Sequence, residues 1–186
     1  MSYAQNLWLF AALLFGIIVV PGMDMLFVLT NALTGGRKAG FAAVSGMMLG
    51  GVVHTLSGTL GATLLALAMP MLSVPLIVLG ALYMAWIGFG LVRSSIVVAN
   101  IDRAGRMPLF TVFRQGLVTC LLNPKAYLFI MAVYPQFLKP QYGSIAGQAA
   151  VMGALTVLMQ FVIYGSVALM ASWSRALLLE NRLATI

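Results

Sequence analysis

The feature that most constrains this chain is a series of long apolar runs, separated by short segments that hold nearly all of its charged residues. Hydrophobic residues make up 62% of the 186 residues and charged residues only 7%, whereas an ordinary soluble domain has about 25% charged residues. So few charges do not cover the surface of a water-soluble globule of this length. The sequence therefore predicts an integral membrane protein.

The form of the apolar runs distinguishes helices from barrel strands. Strands of a membrane barrel alternate in polarity over about ten residues, whereas the runs here are longer and nearly uninterrupted. The 19 glycines and 13 methionines also suit helices that approach one another closely in lipid. The predicted fold is all-α, a bundle of about five transmembrane helices in which the first and fourth are interrupted by proline.

Span lengths set the domain organisation. Crossing the hydrocarbon layer takes about 20 helical residues, so residues 7–20 and 25–33 are each too short and together form one interrupted span. We predict a single transmembrane domain over residues 1–186, with spans at about 7–33, 39–69, 76–92, 116–138 and 148–171, a basic cytoplasmic loop at 93–115 and a cytoplasmic tail at 172–186.

Lysine and arginine residues collect on one side of this arrangement. Lys139 lies alone on one side and Lys125 lies inside the fourth span, whereas the other eight share the opposite side: Arg37, Lys38, Arg93, Arg103, Arg106, Arg114, Arg175 and Arg182. Cytoplasmic loops carry such an excess of positive residues. We therefore expect the N-terminus outside and the C-terminus in the cytoplasm.

The scarcity of reactive side chains excludes several other functions. Cys120 and His54 are the only cysteine and histidine, and only three residues are acidic, so we expect no disulfide, no metal site, no cofactor and no catalytic residues. The formal charge of +7 is distributed between the spans rather than in a basic run, which argues against a nucleic-acid partner. An enzyme is therefore not expected.

Two residues of opposite charge, Asp24 and Lys125, lie at membrane depth, and each follows a proline. An intramembrane charge costs about 2.5–3.5 kcal/mol on insertion scales, and proline frees a main-chain carbonyl. Discontinuous helices of this kind form the substrate site of secondary transporters. We predict that both charges face one aqueous chamber, where they bind the ammonium and carboxylate of an amino acid. The predicted substrate and coupling residues are Pro21, Gly22, Asp24, Asn123, Pro124 and Lys125.

Other interpretations of these residues stay open at this point. Asn123 and Pro124 also match an N-cap followed by proline at the first helical position, from which Lys125 would extend to water. Asp24 would then cap a half-helix, or pair with Lys125 in a simple salt bridge. His54 is a candidate proton relay, because an imidazole ordinarily titrates near pH 6.5, or a packing residue.

Two further polar residues share one helix face. Gln160 and Tyr164 are four residues apart and would line a cavity or form interhelical hydrogen bonds. Asp24 is the only acidic residue at membrane depth, which motivates the hypothesis that transport is coupled to protons.

Several motifs, taken in order along the chain, resemble the LysE-type amino-acid exporters, the family of lysine and homoserine/threonine efflux translocators. They are PGMDML at 21–26, GRKAG at 36–40, Gly46 and Gly50, LNPKA at 122–126 and PQF at 135–137. The resemblance implies an inner-membrane exporter driven by the proton motive force. Its implied partners are a small amino acid or analogue, protons and membrane lipid.

The chain departs from the family pattern at two places. Members usually have a second proline where this chain has Met23, and they usually continue past a basic segment like 175–182 into a final apolar helix, which the sequence ending at Ile186 lacks. A shortened or degraded member and a homo-oligomer that supplies the missing wall are both open explanations. The alternative functions are an intramembrane enzyme acting on lipid-linked substrates and a non-transporting assembly subunit.

Overall fold

The computed structural model describes residues 1–68 and 107–183, together with the isolated positions 78 and 82. Five α-helices, numbered α1 to α5, occupy most of this part of the chain: Tyr3–Val19, Met23–Ala68, Leu109–Leu121, Pro124–Leu128 and Ile145–Leu183. A π-helix, Phe129–Val133, and two 3-10 helices, Tyr134–Phe137 and Pro140–Tyr142, connect α4 to α5. The described residues contain no strand, which confirms the predicted all-α class. The predicted third span at 76–92 and most of the predicted basic loop lie outside the described residues.

Helix α2 consists of two arms that fold back on each other at Gly36. Gly36 has φ 75° and ψ −168°, a left-handed conformation that favours glycine. A Cβ added to Gly40 would lie 2.9 Å from the Cβ of Ala32, although eight residues of straight helix would separate the two by about 12 Å. The arms 23–35 and 37–68 therefore pack side by side. The turn falls between the predicted first and second spans.

Length and hydropathy identify the helices that can cross a membrane. Met23–Gly61 and Ile145–Arg175 are long and apolar enough, and the pair Leu109–Leu121 and Pro124–Phe137, bent by 47°, is a third candidate. Tyr3–Val19 is apolar but shorter. Met23–Gly61 contains the turn at Gly36, so its 39 residues are divided between the two arms of α2. The bend of the third candidate lies at the predicted proline interruption of the fourth span.

The structure differs from the predicted loop at 93–115, because α3 already begins at Leu109. Val112, Gly116 and Cys120 form its buried stripe, whereas Arg114 and Gln115 are exposed. The polar pair suggested a loop in the sequence, but in the structure it occupies the outer face of an amphipathic turn. At the other end of the chain, α5 continues as helix through the predicted tail to Leu183.

Two close contacts hold the broken helices in the bundle. Gly46 and Gly50 let the longer arm of α2 lie against α3, since a Cβ on Gly50 would come 2.7 Å from the Cys120 sulfur. At the end of the bundle where α1 begins, the amide Nδ2 of Asn6 donates a 2.9 Å hydrogen bond to the Phe137 carbonyl. The breaks after α1 and α3 meet as well, because the Lys125 side chain after the second break contacts the Val20 carbonyl at the first.

Candidate functional site

A cavity of about 40 Å³ lies where the two broken helices meet α2 and α5. It is lined by Leu14, Ile17, Ile18, Asp24, Gly51, His54, Cys120, Lys125, Ala126, Phe129, Ile130, Thr156, Gln160 and Tyr164. This volume holds a few water molecules at roughly 10–15 Å³ each. Binding sites for small molecules have about 300–1,000 Å³, so an amino acid requires the cavity to widen.

The first break leaves a carbonyl that faces the second. Helix α1 ends at Val19, and the capping residue Val20 donates its N–H to the Gly16 carbonyl. The Val20 carbonyl accepts a 2.8 Å hydrogen bond from the Lys125 ammonium, 105 residues away along the chain. A Cβ on Gly22 would lie 3.3 Å from the same Nζ, so the absence of a side chain there leaves room for the lysine.

The second break is a capped helix N-terminus. The Asn123 side-chain oxygen accepts a 3.0 Å hydrogen bond from the Lys125 backbone N–H, and Pro124 occupies the first helical position of α4. The capping interpretation is therefore right for Asn123 and Pro124. The associated expectation that Lys125 extends to water is wrong, because this side chain is only 7% exposed and reaches into the bundle.

Asp24 is buried, with 3% of its surface exposed, and only one of its carboxylate oxygens has a hydrogen-bond partner. Its Oδ2 accepts a long, 3.4 Å hydrogen bond from the Tyr164 hydroxyl. Its Oδ1 and the Asn123 Nδ2 have no hydrogen-bond partner within 3.5 Å. The two side chains are nevertheless neighbours and interact electrostatically. Lys125 attracts the carboxylate electrostatically, but the two form no ion pair within 4.0 Å. Asp24 and Lys125 therefore do not form the simple mutual salt bridge that the sequence left open.

Helix α5 contributes a polar stripe to the cavity. Thr156, Gln160 and Tyr164 recur every four residues and are all buried, so they line one face of the helix. The Gln160 Oε1 atom has no hydrogen-bond partner. On the longer arm of α2, the His54 Nε2 donates a 3.0 Å hydrogen bond to the Cys120 carbonyl. A relay role for His54 stays a prediction.

The structure thus brings five of the nine predicted residues to the cavity wall: Asp24, His54, Lys125, Gln160 and Tyr164. The other four, Pro21, Gly22, Asn123 and Pro124, form the two breaks and position the charged side chains. Among the described residues, no group of three His, Cys, Asp or Glu side chains gathers that could hold a metal ion.

Sequence reasoning missed the apolar wall of the cavity and one polar residue. The wall consists of Leu14, Ile17, Ile18, Ala126, Phe129 and Ile130. No sequence signal distinguishes these side chains from apolar neighbours that face lipid. Thr156 is different, because its spacing of four from Gln160 was a signal that could have found it.

Comparison with known proteins gives one family. The family model described as LysE type translocator matches residues 15–186. A leucine efflux protein of Enterobacter sp. (strain 638) is 35% identical over 134 residues, which cover 72% of this chain and 64% of that protein. A leucine efflux protein of Salmonella typhimurium is 30% identical over 139 residues, with 72% and 63% covered.

A third relative, an uncharacterized membrane protein of Pseudomonas aeruginosa, is 32% identical over 180 residues, with 91% of this chain and 83% of that protein covered. The match therefore spans less than two thirds of the length of the two leucine efflux proteins. No solved structure matches the chain.

Proposed function

Because the chain belongs to the LysE type translocator family, we propose that it exports amino acids across the bacterial inner membrane. The family match confirms the predicted resemblance and favours a transporter over an enzyme. The observation that carries the proposal is the arrangement of Asp24 and Lys125, two buried opposite charges that line one cavity without pairing directly. A buried charge without a direct counterion is costly, so such an arrangement is expected where a ligand completes the pairing.

A zwitterionic amino acid has the complementary charges. Its ammonium group fits the Asp24 Oδ1, which lacks a partner. Its carboxylate fits Lys125, whose ammonium donates to the Val20 carbonyl in the structure. A carboxylate has a full negative charge, whereas the Val20 carbonyl offers only a dipole, so a carboxylate competes well with the carbonyl for this lysine.

The remaining wall favours a substrate with an apolar side chain. Leu14, Ile18, Phe129 and Ile130 line the same cavity as the charged pair, and an apolar ligand gains about 25 cal/mol for each Å² buried there. The names of the Enterobacter and Salmonella relatives, leucine efflux protein, agree with this chemistry. We therefore propose leucine and amino acids of similar shape as the substrates.

Transport requires the cavity to open alternately to the two sides of the membrane. Since the cavity volume of about 40 Å³ is too small for leucine, binding requires movement of the lining helices. When Lys125 leaves the Val20 carbonyl for the substrate carboxylate, it releases the end of α1 from α4. This exchange of partners links substrate binding to the position of the first break.

Proton coupling and orientation complete the proposal. Asp24 is the only acidic side chain among the residues that line the cavity, so it is the proposed site at which an inward-moving proton replaces the outgoing ammonium. The excess of lysine and arginine on one side supports an outer N-terminus and a cytoplasmic C-terminus. Collapsing the pH gradient and the potential should then slow export, and export unaffected by this treatment would contradict coupling.

The direct test is efflux of radiolabelled leucine from vesicles that contain the purified protein. We expect Asp24→Asn and Lys125→Gln to reduce efflux by about tenfold or more, because each loses a hydrogen bond to a charged group worth about 1.5–3 kcal/mol. Lys139→Gln is the matched control, since Lys139 lies outside the cavity. Unchanged efflux in both cavity variants would reject this site. Absence of efflux for every amino acid tested would favour an assembly subunit.

A further inference from the structure

The amide of Gln160 has no role in the pairing described above, yet it lies at the same cavity. Its side chain is 5% exposed, and its Oε1 atom has no hydrogen-bond partner among the described residues. A buried acceptor without a donor is unfavourable. This oxygen is therefore open to a donor that enters the cavity.

The surroundings of Gln160 hold its oxygen at the cavity wall. Its amide lies directly over Gly51, where an added Cβ would overlap the Oε1 atom. The Gln160 side chain also lies within hydrogen-bonding reach of the Cys120 thiol, and both of these neighbours line the cavity. A residue with any side chain at position 51 would displace the amide, so the glycine is what permits this placement.

The carboxylate of Asp24 belongs to the same cavity wall as Gln160. Tyr164 follows Gln160 on the same face of α5 and donates its hydroxyl to the Oδ2 of Asp24. Side chains four residues apart on a helix are about 5–6 Å apart at their Cβ atoms. Neither the Asp24 Oδ1 nor the Gln160 Oε1 accepts a hydrogen bond within 3.5 Å, although the Asn123 amide lies beside Asp24, and both acceptors belong to residues that line one cavity.

We infer that Gln160 is a specificity-determining residue that accepts a second hydrogen bond from the substrate's primary ammonium group. This inference rests on the proposed function. The ammonium of an unmodified amino acid has three N–H donors, enough for the carboxylate of Asp24 and the amide oxygen of Gln160 together. A tertiary ammonium has a single N–H, so it leaves one of these acceptors unsatisfied. The site therefore discriminates against tertiary amines.

Leucine and N,N-dimethylleucine separate this role from a general contribution to folding. Both have the same side chain and carboxylate, and both are zwitterions, but only leucine can satisfy the two acceptors. We expect the wild-type protein to transport leucine with a kcat/KM at least tenfold higher than that for N,N-dimethylleucine. Removing the Gln160 oxygen should reduce this ratio, because the second acceptor no longer needs a donor.

The experiment measures transport of both compounds by reconstituted wild-type protein and by Gln160→Met, which keeps the length of the side chain but removes the amide. We expect the leucine to N,N-dimethylleucine ratio to fall by about tenfold in Gln160→Met, with no decrease in the melting temperature of the substrate-free protein. Gln115→Met is the matched control, because Gln115 is exposed on α3, and its ratio should equal that of the wild type. A structural role would lower transport of both compounds equally and leave the ratio unchanged, which would overturn the inference.

A second variant covers the case in which Gln160→Met fails to fold. Gly51→Ala retains the glutamine but displaces its oxygen from the cavity wall, so the ratio should fall in this variant too. If wild-type protein transports both compounds equally well, the inference is wrong and the proposed function stands. If wild-type protein neither binds nor transports leucine, the proposed function and the inference both fail.

Discussion

The two helix breaks that meet at the cavity have opposite local chemistry. The break after α1 presents the carbonyl of Val20, at the negative end of a helix, whereas the break after α3 presents a capped helix N-terminus at Pro124. Asp24 lies in the first turn of α2, where the helix dipole stabilises a carboxylate. Lys125 lies in the first turn of α4, where the same dipole disfavours a cation, and it crosses to the Val20 carbonyl of the other break.

This difference shows why the two charges are not interchangeable. Asp24 is supported by its own helix, whereas Lys125 depends on a partner from the other break. In the proposed mechanism, a substrate carboxylate would take Lys125 away from the Val20 carbonyl and disconnect the breaks, whereas an ammonium bound to Asp24 would leave the local support of that residue in place. The second break is then the one whose contacts would change when substrate binds.

The largest expected effect comes from exchanging the two charges. In the double variant Asp24→Lys with Lys125→Asp, a cation occupies a helix N-terminus and a carboxylate faces the Val20 carbonyl. We expect export to be abolished and stability to fall by about 3–5 kcal/mol, the usual loss when a buried charge loses its partner. Leucine efflux and thermal unfolding measure both. Wild-type efflux from the exchanged protein would mean that the two breaks are equivalent.

Removing the cap of α4 in one variant and the cap of α1 in another should separate effects on stability from effects on transport. Asn123→Ala removes the cap of α4 and the amide beside Asp24, so we expect a loss of about 0.5–2 kcal/mol together with about tenfold slower export. Ser2→Ala removes the capping box of α1, which is exposed, and should cost similar stability with unchanged export. Equal export in the two variants would remove Asn123 from the site.

The smallest expected effect concerns the glycines on either side of the first break. A Cβ on Gly22 would lie 3.3 Å from the Lys125 Nζ, so Gly22→Ala should push the lysine aside and slow leucine efflux by about twofold to fivefold, well under the factor expected for a lost charged hydrogen bond. Gly16→Ala meets nothing within 4 Å among the described residues and should stabilise α1 by about 0.5–1 kcal/mol without changing efflux. If Gly22→Ala behaves like Gly16→Ala, Lys125 does not need the space at the first break.

Much of the site was predictable because its elements have local signals. The prolines at positions 21 and 124 mark the breaks, and a charged residue at membrane depth after each of them points to a polar chamber. The spacing of Gln160 and Tyr164 places both on one face of a helix. Asn123 is recognisable as a cap from its position directly before a proline.

Other features of the fold had no usable local signal or a misleading one. Arg114 and Gln115 suggested a loop, although in the structure they lie on the exposed face of α3. The apolar wall residues Leu14 and Phe129 have the same composition around them as residues that face lipid. In an apolar solvent, hydrophobicity does not reveal which face of a helix is buried.

The sequence by itself determined the membrane class of this protein, the helical fold, the two breaks and the presence of one acid and one base beside them, because scarcity of charge and the geometry of proline act locally. Only the tertiary structure decided which partner each charge has. The bond from Lys125 to Val20 joins residues 105 positions apart. The oxygens of Asp24 and Gln160 that have no hydrogen-bond partner belong to residues that line one cavity. Such pairings depend on how helices pack in three dimensions, and nothing in the local sequence encodes them.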